Sequence, residues 1–238
     1  MSITYEKLIL FDIDGTILQF RHKLAQELFT EFLTELFEFE VPHTAIPSFA
    51  GMTDLQILRI ISENLDIPHT QMTSKLPQIW TQMKSKFEAN STIDTIKLMP
   101  GIVELLQLFN NNEKTFLGLI TGNFVENAYI KLESYNLGHF FPIGAFGNDD
   151  ENRNHLPPIA INRANLYVNS TIFTNENTVI IGDTDRDIEC AKVHNIKSVA
   201  VATGGCSYQF LSEQNPDLIM NDFADYNKSY ELIINLFD

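Results

Sequence analysis

The sequence predicts an α/β protein in which a doubly wound, Rossmann-like parallel sheet carries an inserted all-helical domain. Short apolar runs recur along the chain without polar alternation, which is typical of parallel strands covered by helices on both faces. Between most of these runs the apolar residues recur every three or four positions, as in the helices of βαβ units. One stretch, residues 19–96, has only the helical period. We therefore expect a core of residues 1–18 and 97–238 and an all-helical insert of residues 19–96.

The first predicted strand, residues 8–11, runs directly into the sequence DIDGT at residues 12–16. Side chains alternate along an extended chain, so Asp12 and Asp14 are expected to point the same way while the isoleucine between them turns into the core. Gly15 lets the backbone turn or approach a ligand closely. Asp-Gly after a strand is also a common turn, so this segment alone leaves open whether the carboxylates form a site.

The insert is predicted to contain three or four amphipathic helices. Leucine and phenylalanine recur at helical intervals over residues 24–37, and weaker stripes follow near 55–65 and 79–87. Proline and glycine mark the loops between them. Their apolar faces are expected to pack mostly against one another. Two short hinges, near residues 18–21 and 95–100, are expected to join the insert to the core.

From residue 100 onward, predicted helices and strands alternate, which is the rhythm of a parallel sheet. The predicted elements are helices near 102–110, 125–136, 186–194 and 226–236, a further helix that begins with the prolines at 157–158, and strands near 115–121, 141–146, 178–181, 198–202 and 218–220. If the core strands lie in the order 3-2-1-4-5, the first strand lies between those that end at Thr121 and Asp183. Ligands of such sheets bind beyond the carboxyl ends of the strands, where the strand order reverses.

Further polar segments follow the later strands. One strand ends in Thr-Gly-Asn at residues 121–123, and another is followed by Gly-Asp-Thr-Asp-Arg-Asp at residues 182–187. Between them, Arg153 lies in a polar loop ahead of a helix that begins with two prolines. A hydroxyl, a cation and several carboxylates at separate strand ends are the groups that magnesium-dependent phosphoryl transfer requires.

In this order, the motifs DxDGT, TGN, a basic residue and GDTDRD resemble those of the haloacid dehalogenase superfamily of phosphohydrolases, and the last is most similar to its phosphoglycolate phosphatase branch. The resemblance covers essentially the whole chain. It implies a helical cap between the first and second motifs. It also implies a Mg²⁺-dependent phosphatase that hydrolyses a small phosphorylated metabolite, phosphoglycolate or a similar monoester, through an aspartyl-phosphate intermediate.

The resemblance implies a role for each acidic motif residue. Asp12 would be the nucleophile, and Asp14 would be the general acid and base. Mg²⁺ would be bound by Asp12, by the backbone carbonyl of Asp14 and by Asp183. Asp187 would complete the metal site from behind, where it would hold ligands or water.

The second and third motifs would hold the phosphoryl group. Thr121 would donate its hydroxyl to a phosphoryl oxygen, and Gly122 would let a backbone amide approach. Asn123 either binds substrate or caps the next helix. Family members carry a lysine in the third motif, whereas this chain has Arg153 in the matching register, with Arg163 as the competing candidate.

Substrate selection would depend on cap loops near Arg21, His22 and Gly51. In sugar-phosphate mutases of the same superfamily the cap loop usually carries a basic residue after the glycine, and residues 51–54 contain none. A mutase stays an alternative, as does a pseudo-phosphatase that binds phosphate without turnover. Haloacid substrates are disfavoured, because a halide leaving group needs no proton from an acid such as Asp14.

Composition argues against several other functions. The 238 residues, 44% of them hydrophobic, are enough to bury a core. A formal net charge of −15 repels nucleic acid and anionic lipid. No apolar stretch approaches the ~20 residues of a membrane span, and the first residues lack the layout of a signal peptide. We therefore expect a cytoplasmic monomer or homodimer in which Cys190 and Cys206 are free thiols.

Overall fold

The computed structural model describes residues 5–21 and 23–238. Within them the strands are β1 (Lys7–Phe11), β2 (Leu18–Phe20), β3 (Ile96–Leu98), β4 (Thr115–Ile120), β5 (Gly144–Ala145), β6 (Thr178–Gly182), β7 (Lys197–Val201) and β8 (Leu218–Met220). The helices are α1 (Leu24–Phe37), α2 (Asp54–Asn64), α3 (His69–Ser74), α4 (Leu76–Asn90), α5 (Ile102–Asn111), α6 (Val125–Glu133), α7 (Leu156–Tyr167), α8 (Asp185–Lys192), α9 (Tyr208–Glu213) and α10 (Tyr226–Ile234). Short 3₁₀ turns cover residues 43–45, 138–140, 153–155 and 235–237.

The main sheet is parallel, and in the described residues its order is β5-β4-β1-β6-β7-β8. Numbered along the chain within this sheet alone, the strands read 3-2-1-4-5-6, which is the predicted order with β8 added at the edge. Strand β1 is central, with Leu8 in register with Phe116 on one side and Thr178 on the other. The order reverses between β1 and β6, so the residues that follow these two strands flank the crevice.

Helices cover both faces of this sheet, which explains the unbroken apolar runs of its central strands. In β1, Leu8 and Leu10 pack into the apolar cluster that contains α7 and α8. Ile9 and Phe11 point to the other face and pack with α5 and α10. Alternate residues of one strand thus serve two different cores, and the α/β prediction is confirmed.

The segments that enter and leave the helical insert pair with each other as a two-stranded antiparallel ribbon. Leu18 of β2 lies opposite Leu98 of β3, and Phe20 lies opposite Ile96. The sequence predicted only hinges here, because three-residue strands are too short to show a period. Between the two strands lie α1 to α4, which we call the helical insert (residues 24–90). Their apolar side chains belong to the same apolar cluster as Ile9 and Phe11 of the core.

Several element bounds differ from those predicted. The strand expected near residues 141–146 is only the two-residue edge strand β5, and the last helix stops at Ile234 before a 3₁₀ turn. Helix α9 was not predicted, since six residues hold too few turns to show a stripe. Its start is stabilised by Ser207, whose hydroxyl accepts a hydrogen bond from the Phe210 amide at 3.2 Å. Of the helices in the described ranges, none is long and apolar enough to cross a membrane.

Candidate active site

A cavity of about 260 Å³ lies beyond the carboxyl ends of β1, β4 and β6, between the sheet and the helical insert. The predicted residues that line it are Asp12, Asp14, Gly51, Thr121, Gly122, Asn123, Arg153 and Asp183. Asp187 lies behind this surface, within reach of Asp12 and Asp183. Arg21 is exposed, and it is not among the described residues that line the cavity. His22, the other predicted loop residue, lies outside the described residues.

Asp12 directly follows β1, and its backbone amide continues the sheet by donating to the carbonyl of Ile181 at 2.9 Å. Its carboxylate is buried and accepts a hydrogen bond from Nη2 of Arg153 at 3.0 Å. Asp12, Asp183 and Asp187 each offer a carboxylate oxygen, and these three atoms lie within 4.8 Å of one another. When all three carboxylates are ionised, the single guanidinium of Arg153 leaves this cluster with an excess of negative charge.

Arg153 begins a 3₁₀ turn at residues 153–155. The side chain of Asn152 caps this turn by accepting a hydrogen bond from the Asn154 amide. Its Nη2 donates to Asp12, to Asp187 and, at 3.3 Å, to the carbonyl of Ile120. The competing candidate, Arg163, points elsewhere and pairs with Asp149 at 2.5 Å. Of the two arginines, the structure therefore brings only Arg153 to the candidate site.

Burial changes the acidity of this cluster. It raises the pKa of Asp12 to about 7, against the opposing effect of the Arg153 charge and with a further rise from Asp187. The pKa of Asp183 is raised well above its usual range by burial and then by the neighbouring charges of Asp12 and Asp187. A cation bound among these carboxylates would favour their ionised forms.

Asp187 is fixed by the start of α8. Its Oδ2 accepts hydrogen bonds from the backbone amide of Thr184 at 3.0 Å and from the Thr184 hydroxyl at 2.6 Å. The bond from the Thr184 amide belongs to the capping box that begins the helix. Its Oδ1 accepts from Arg153. Because both oxygens already have donors, Asp187 is placed to orient the groups around it.

Asp183 has the features of a cation ligand. It is buried, and its Oδ1 has no hydrogen-bond partner among the described residues. A buried carboxylate oxygen without a donor is costly unless a cation satisfies it. The loop at Gly15 comes so close, with φ of +86°, that a Cβ there would collide with the Asp183 carboxylate. Together with Asp12, this carboxylate fits a small divalent cation that prefers oxygen ligands, such as Mg²⁺.

Asp14 lies in different surroundings from Asp12, although both line the cavity. Its two carboxylate oxygens accept hydrogen bonds from Nζ of Lys131 at 2.8 and 2.6 Å. The Asn123 side chain donates to Asp14 at 2.7 Å and to the Thr121 hydroxyl at 2.8 Å, while its own carbonyl oxygen accepts from Lys131 at 2.6 Å. The Asp14 side chain is therefore not part of the acidic cluster.

Lys131 is the site residue that the sequence interpretation missed. It lies on α6, is buried, and has the rings of Phe20 and Phe87 at 5.2 and 5.5 Å from its ammonium group. A signal was present, because Lys131 shares the apolar stripe of its helix with Ala128 and Leu132. A lysine on a buried stripe needs an anionic partner.

The loop of residues 51–54 brings the helical insert onto the second motif. The Asp54 amide donates to the carbonyl of Gly122 at 2.7 Å, and the Asp54 carboxyl accepts from the Phe124 amide at 2.7 Å. A Cβ at Gly122 would collide with the carbonyl of Met52, so glycine permits this close approach. Burial raises the pKa of Asp54 to about 7, opposed by the hydrogen bond from Phe124. The insert is thus in direct contact with the predicted phosphate-binding loop.

The chain matches the family model for haloacid dehalogenase-like hydrolases over residues 9–201. It is 26% identical over 234 residues to a phosphoglycolate phosphatase of Mannheimia succiniciproducens, with 93% of this chain and 97% of the relative covered. A solved β-phosphoglucomutase from Clostridium difficile gives a TM-score of 0.70 at 19% identity, covering 98% of this chain and 97% of that chain. A solved protein described as a predicted phosphoglycolate phosphatase, from Haemophilus somnus, gives a TM-score of 0.65 at 18% identity, covering 96% of this chain and 98% of that chain. These structures share the fold with the present chain.

Proposed function

The chain belongs to the haloacid dehalogenase-like hydrolase family, and we propose that it is a Mg²⁺-dependent phosphatase of small phosphate monoesters. The observation that carries this proposal is Asp12 at the end of the central strand, beside Asp183, Asp187 and the guanidinium of Arg153. A nucleophilic carboxylate, acidic groups for a cation and a fixed positive charge are the parts that phosphoryl transfer through an enzyme carboxylate needs. The names of the relatives make phosphoglycolate the first ester to test.

In the proposed reaction, a carboxylate oxygen of Asp12 attacks phosphorus as the bond to the ester oxygen breaks. Asp14 delivers a proton to the departing oxygen, and it then takes a proton from the water that attacks the phosphorylated Asp12. The second step releases inorganic phosphate and restores the Asp12 carboxylate. Lys131 and Asn123 hold Asp14 in place for both transfers.

Asp12 and Asp183 would hold Mg²⁺, and the backbone carbonyl of Asp14 is a further predicted ligand. Asp187 would orient these ligands. When bound, the ion would neutralise charge on the phosphoryl oxygens. Arg153 supplies a permanent positive charge beside Asp12 and Asp187.

The second motif would bind the phosphoryl group. Thr121 lines the cavity next to Asn123, whose side chain donates to the Thr121 hydroxyl, and Gly122 lines it as well. We propose that residues 19–96 act as a cap over this site, with Gly51 in the loop that meets the second motif. Arg21 has no part in the proposal, because it is exposed away from the cavity lining.

Hydrolysis is favoured over phosphoryl transfer between positions of a sugar. A mutase must return the phosphoryl group to its substrate and exclude attack by water. Residues 51–54 reach the second motif but contain no basic side chain that would hold a second phosphate there. The mutase alternative predicts turnover of a sugar phosphate without net release of inorganic phosphate.

The test is an assay of p-nitrophenyl phosphate with the purified full chain, with Mg²⁺ or with excess chelator. We expect release of both nitrophenolate and inorganic phosphate that requires Mg²⁺ and is restored when the ion is added back. Equal turnover in chelator would contradict the metal requirement. Absence of any hydrolysis with Mg²⁺ would contradict the proposed phosphatase activity and favour a phosphate-binding pseudo-phosphatase.

A further inference from the structure

The cavity has two unlike walls. The strand ends form a polar floor, where Asp12, Asp183 and Thr121 meet. The helical insert and its loops form the opposite wall, and the side chains that it contributes are almost all apolar. The apolar ones are Ala25, Phe29, Phe49, Ala50, Met52, Ile57 and Phe87. A phosphoryl group placed at Asp12 would therefore direct the rest of its ester toward rings and aliphatic groups.

The positive charge among the described lining residues is already paired with carboxylates. Among the described residues that line the cavity, the cations are Lys131 and Arg153. Lys131 is paired with Asp14, and Arg153 is paired with Asp12 and Asp187. Among the described lining residues of the insert, the ionisable group is an acid, Asp54. An anionic leaving group would meet apolar side chains and a carboxyl group, and within the described lining no unpaired cation is available to it.

The space beyond the phosphoryl position is also small. A cavity of about 260 Å³ lies below the usual range for drug-sized ligands. The β2–β3 ribbon, which connects the insert to the core, contributes the exposed neutral side chain of Gln19 to the cavity lining. Gln19 could hydrogen-bond to one hydroxyl of the leaving group. A polyol would leave its other hydroxyls against aromatic and aliphatic carbon, which is costly.

We propose that the substrate is a phosphate monoester of a small, uncharged alcohol with an apolar body, and that phosphorylated carboxylic acids such as phosphoglycolate are poor substrates. This inference rests on the proposed phosphatase function and specifies the leaving group at the same site. Apolar surface of the leaving group is removed from water against the insert wall, and a carboxylate in the same place would be desolvated without a partner.

The experiment compares kcat/KM of the full chain with Mg²⁺ for isobutyl phosphate, glycerol 3-phosphate and phosphoglycolate, with p-nitrophenyl phosphate as the reference ester. We expect isobutyl phosphate to exceed phosphoglycolate by about tenfold or more, mainly through KM. Equal or greater activity on phosphoglycolate would overturn the inference while leaving the phosphatase function intact. No hydrolysis of any ester, p-nitrophenyl phosphate included, would overturn both.

A charge added to the apolar wall tests the cause of the preference. Ala50 lines the cavity at an exposed position, so a long side chain is tolerated there. We expect Ala50→Lys to raise the ratio of phosphoglycolate to isobutyl phosphate activity by about tenfold, and Ala50→Met, of similar length and no charge, to leave that ratio unchanged. Thermal melting shows that both variants are folded. An unchanged ratio in folded Ala50→Lys would overturn the assignment of the preference to missing positive charge.

Discussion

The two sides of the cavity floor differ in how completely their charges are balanced. On one side, Asp12, Asp183 and Asp187 share the single guanidinium of Arg153, and an oxygen of Asp183 has no donor in the described chain. On the other, Asp14 is matched by one ammonium group, that of Lys131, and by an amide. The Asp12 side chain is 8% exposed and that of Asp14 is 41% exposed.

The two sides match two different requirements of the proposed phosphatase reaction. The acidic side lacks positive charge and is buried, so it is suited to a divalent cation and to a nucleophile that must be shielded from water. The balanced side is complete without a cation and open to the cavity, so it is suited to exchange protons with a leaving group and with water. Changing one side at a time should therefore produce distinguishable defects.

The largest effect is expected on the acidic side, from Asp12→Asn. The amide has the same shape but cannot carry a phosphoryl group, so kcat should fall by on the order of 10³-fold or more. The melting temperature should not fall, because the change removes one of several neighbouring buried carboxylates while Arg153 keeps Asp187 as its partner. The matched control is Asp94→Asn, the same change at an exposed position between α4 and β3. Near-normal turnover by Asp12→Asn would rule out this residue as the nucleophile.

The next effect concerns the cation, through Asp183→Asn. We expect activity to fall by more than the roughly 10- to 100-fold that is typical when a group supporting a metal ligand is lost, because Asp183 is itself a proposed ligand. In the wild type, Mg²⁺ should raise the melting temperature because it binds only the folded chain, and this rise should shrink in the variant. Without Mg²⁺ the variant should melt higher than the wild type, since one of three neighbouring carboxylates has been neutralised. An undiminished response to Mg²⁺ would show that Asp183 is not a ligand.

On the balanced side, Lys131→Met should lower kcat by roughly tenfold or more through loss of the group that holds Asp14. The loss should be larger for an alkyl phosphate than for p-nitrophenyl phosphate, because nitrophenolate leaves without a proton. Lys84→Met, at an exposed lysine paired with Glu88, is the control. An equal loss for both esters would indicate that Lys131 supports folding alone and does not position the acid.

The smallest expected effect is a pH dependence of stability in the absence of metal. The folded-state pKa values of Asp12 and Asp54 are raised from 3.8 to about 7, so the folded chain keeps protons that the unfolded chain releases. The free energy of unfolding should therefore fall as pH rises from about 4 to about 7. Melting temperatures in chelator across this window check the sign, and a rise with pH would contradict it.

The pH dependence of stability has two sources, the acidic side of the cavity and the docked insert loop. Adding Mg²⁺ should reduce the first part, and Asp54→Asn should remove the second. Mg²⁺ binds best to ionised carboxylates, so it should offset the loss of stability that comes from the acidic side at higher pH. Asp54→Asn should remove the part that comes from the docked insert loop, whether or not Mg²⁺ is present. A variant with the full wild-type slope would show that Asp54 does not hold a proton in this window.

The sequence by itself determined the parts of the site that follow from local pattern. Asp12 and Asp183 come directly after apolar runs, and a parallel sheet brings the carboxyl ends of its strands to one edge. Arg153 could be selected by its place between the second and last motifs, and the structure brings it beside Asp12. These positions depend on spacing along the chain and on the general rules of α/β sheets, both of which can be read without coordinates.

Only the tertiary structure decided which side chains meet across long separations. Lys131 pairs with Asp14 over 117 positions, and no local pattern connects them. The β2–β3 ribbon forms between segments of three residues each, too short to show a period. The apolar wall of the cavity depends on how the insert packs over the sheet, since Phe29 and Phe87 have the spacing of ordinary core residues. Sequence periodicity shows that a side chain is buried, but packing in three dimensions determines what it is buried against.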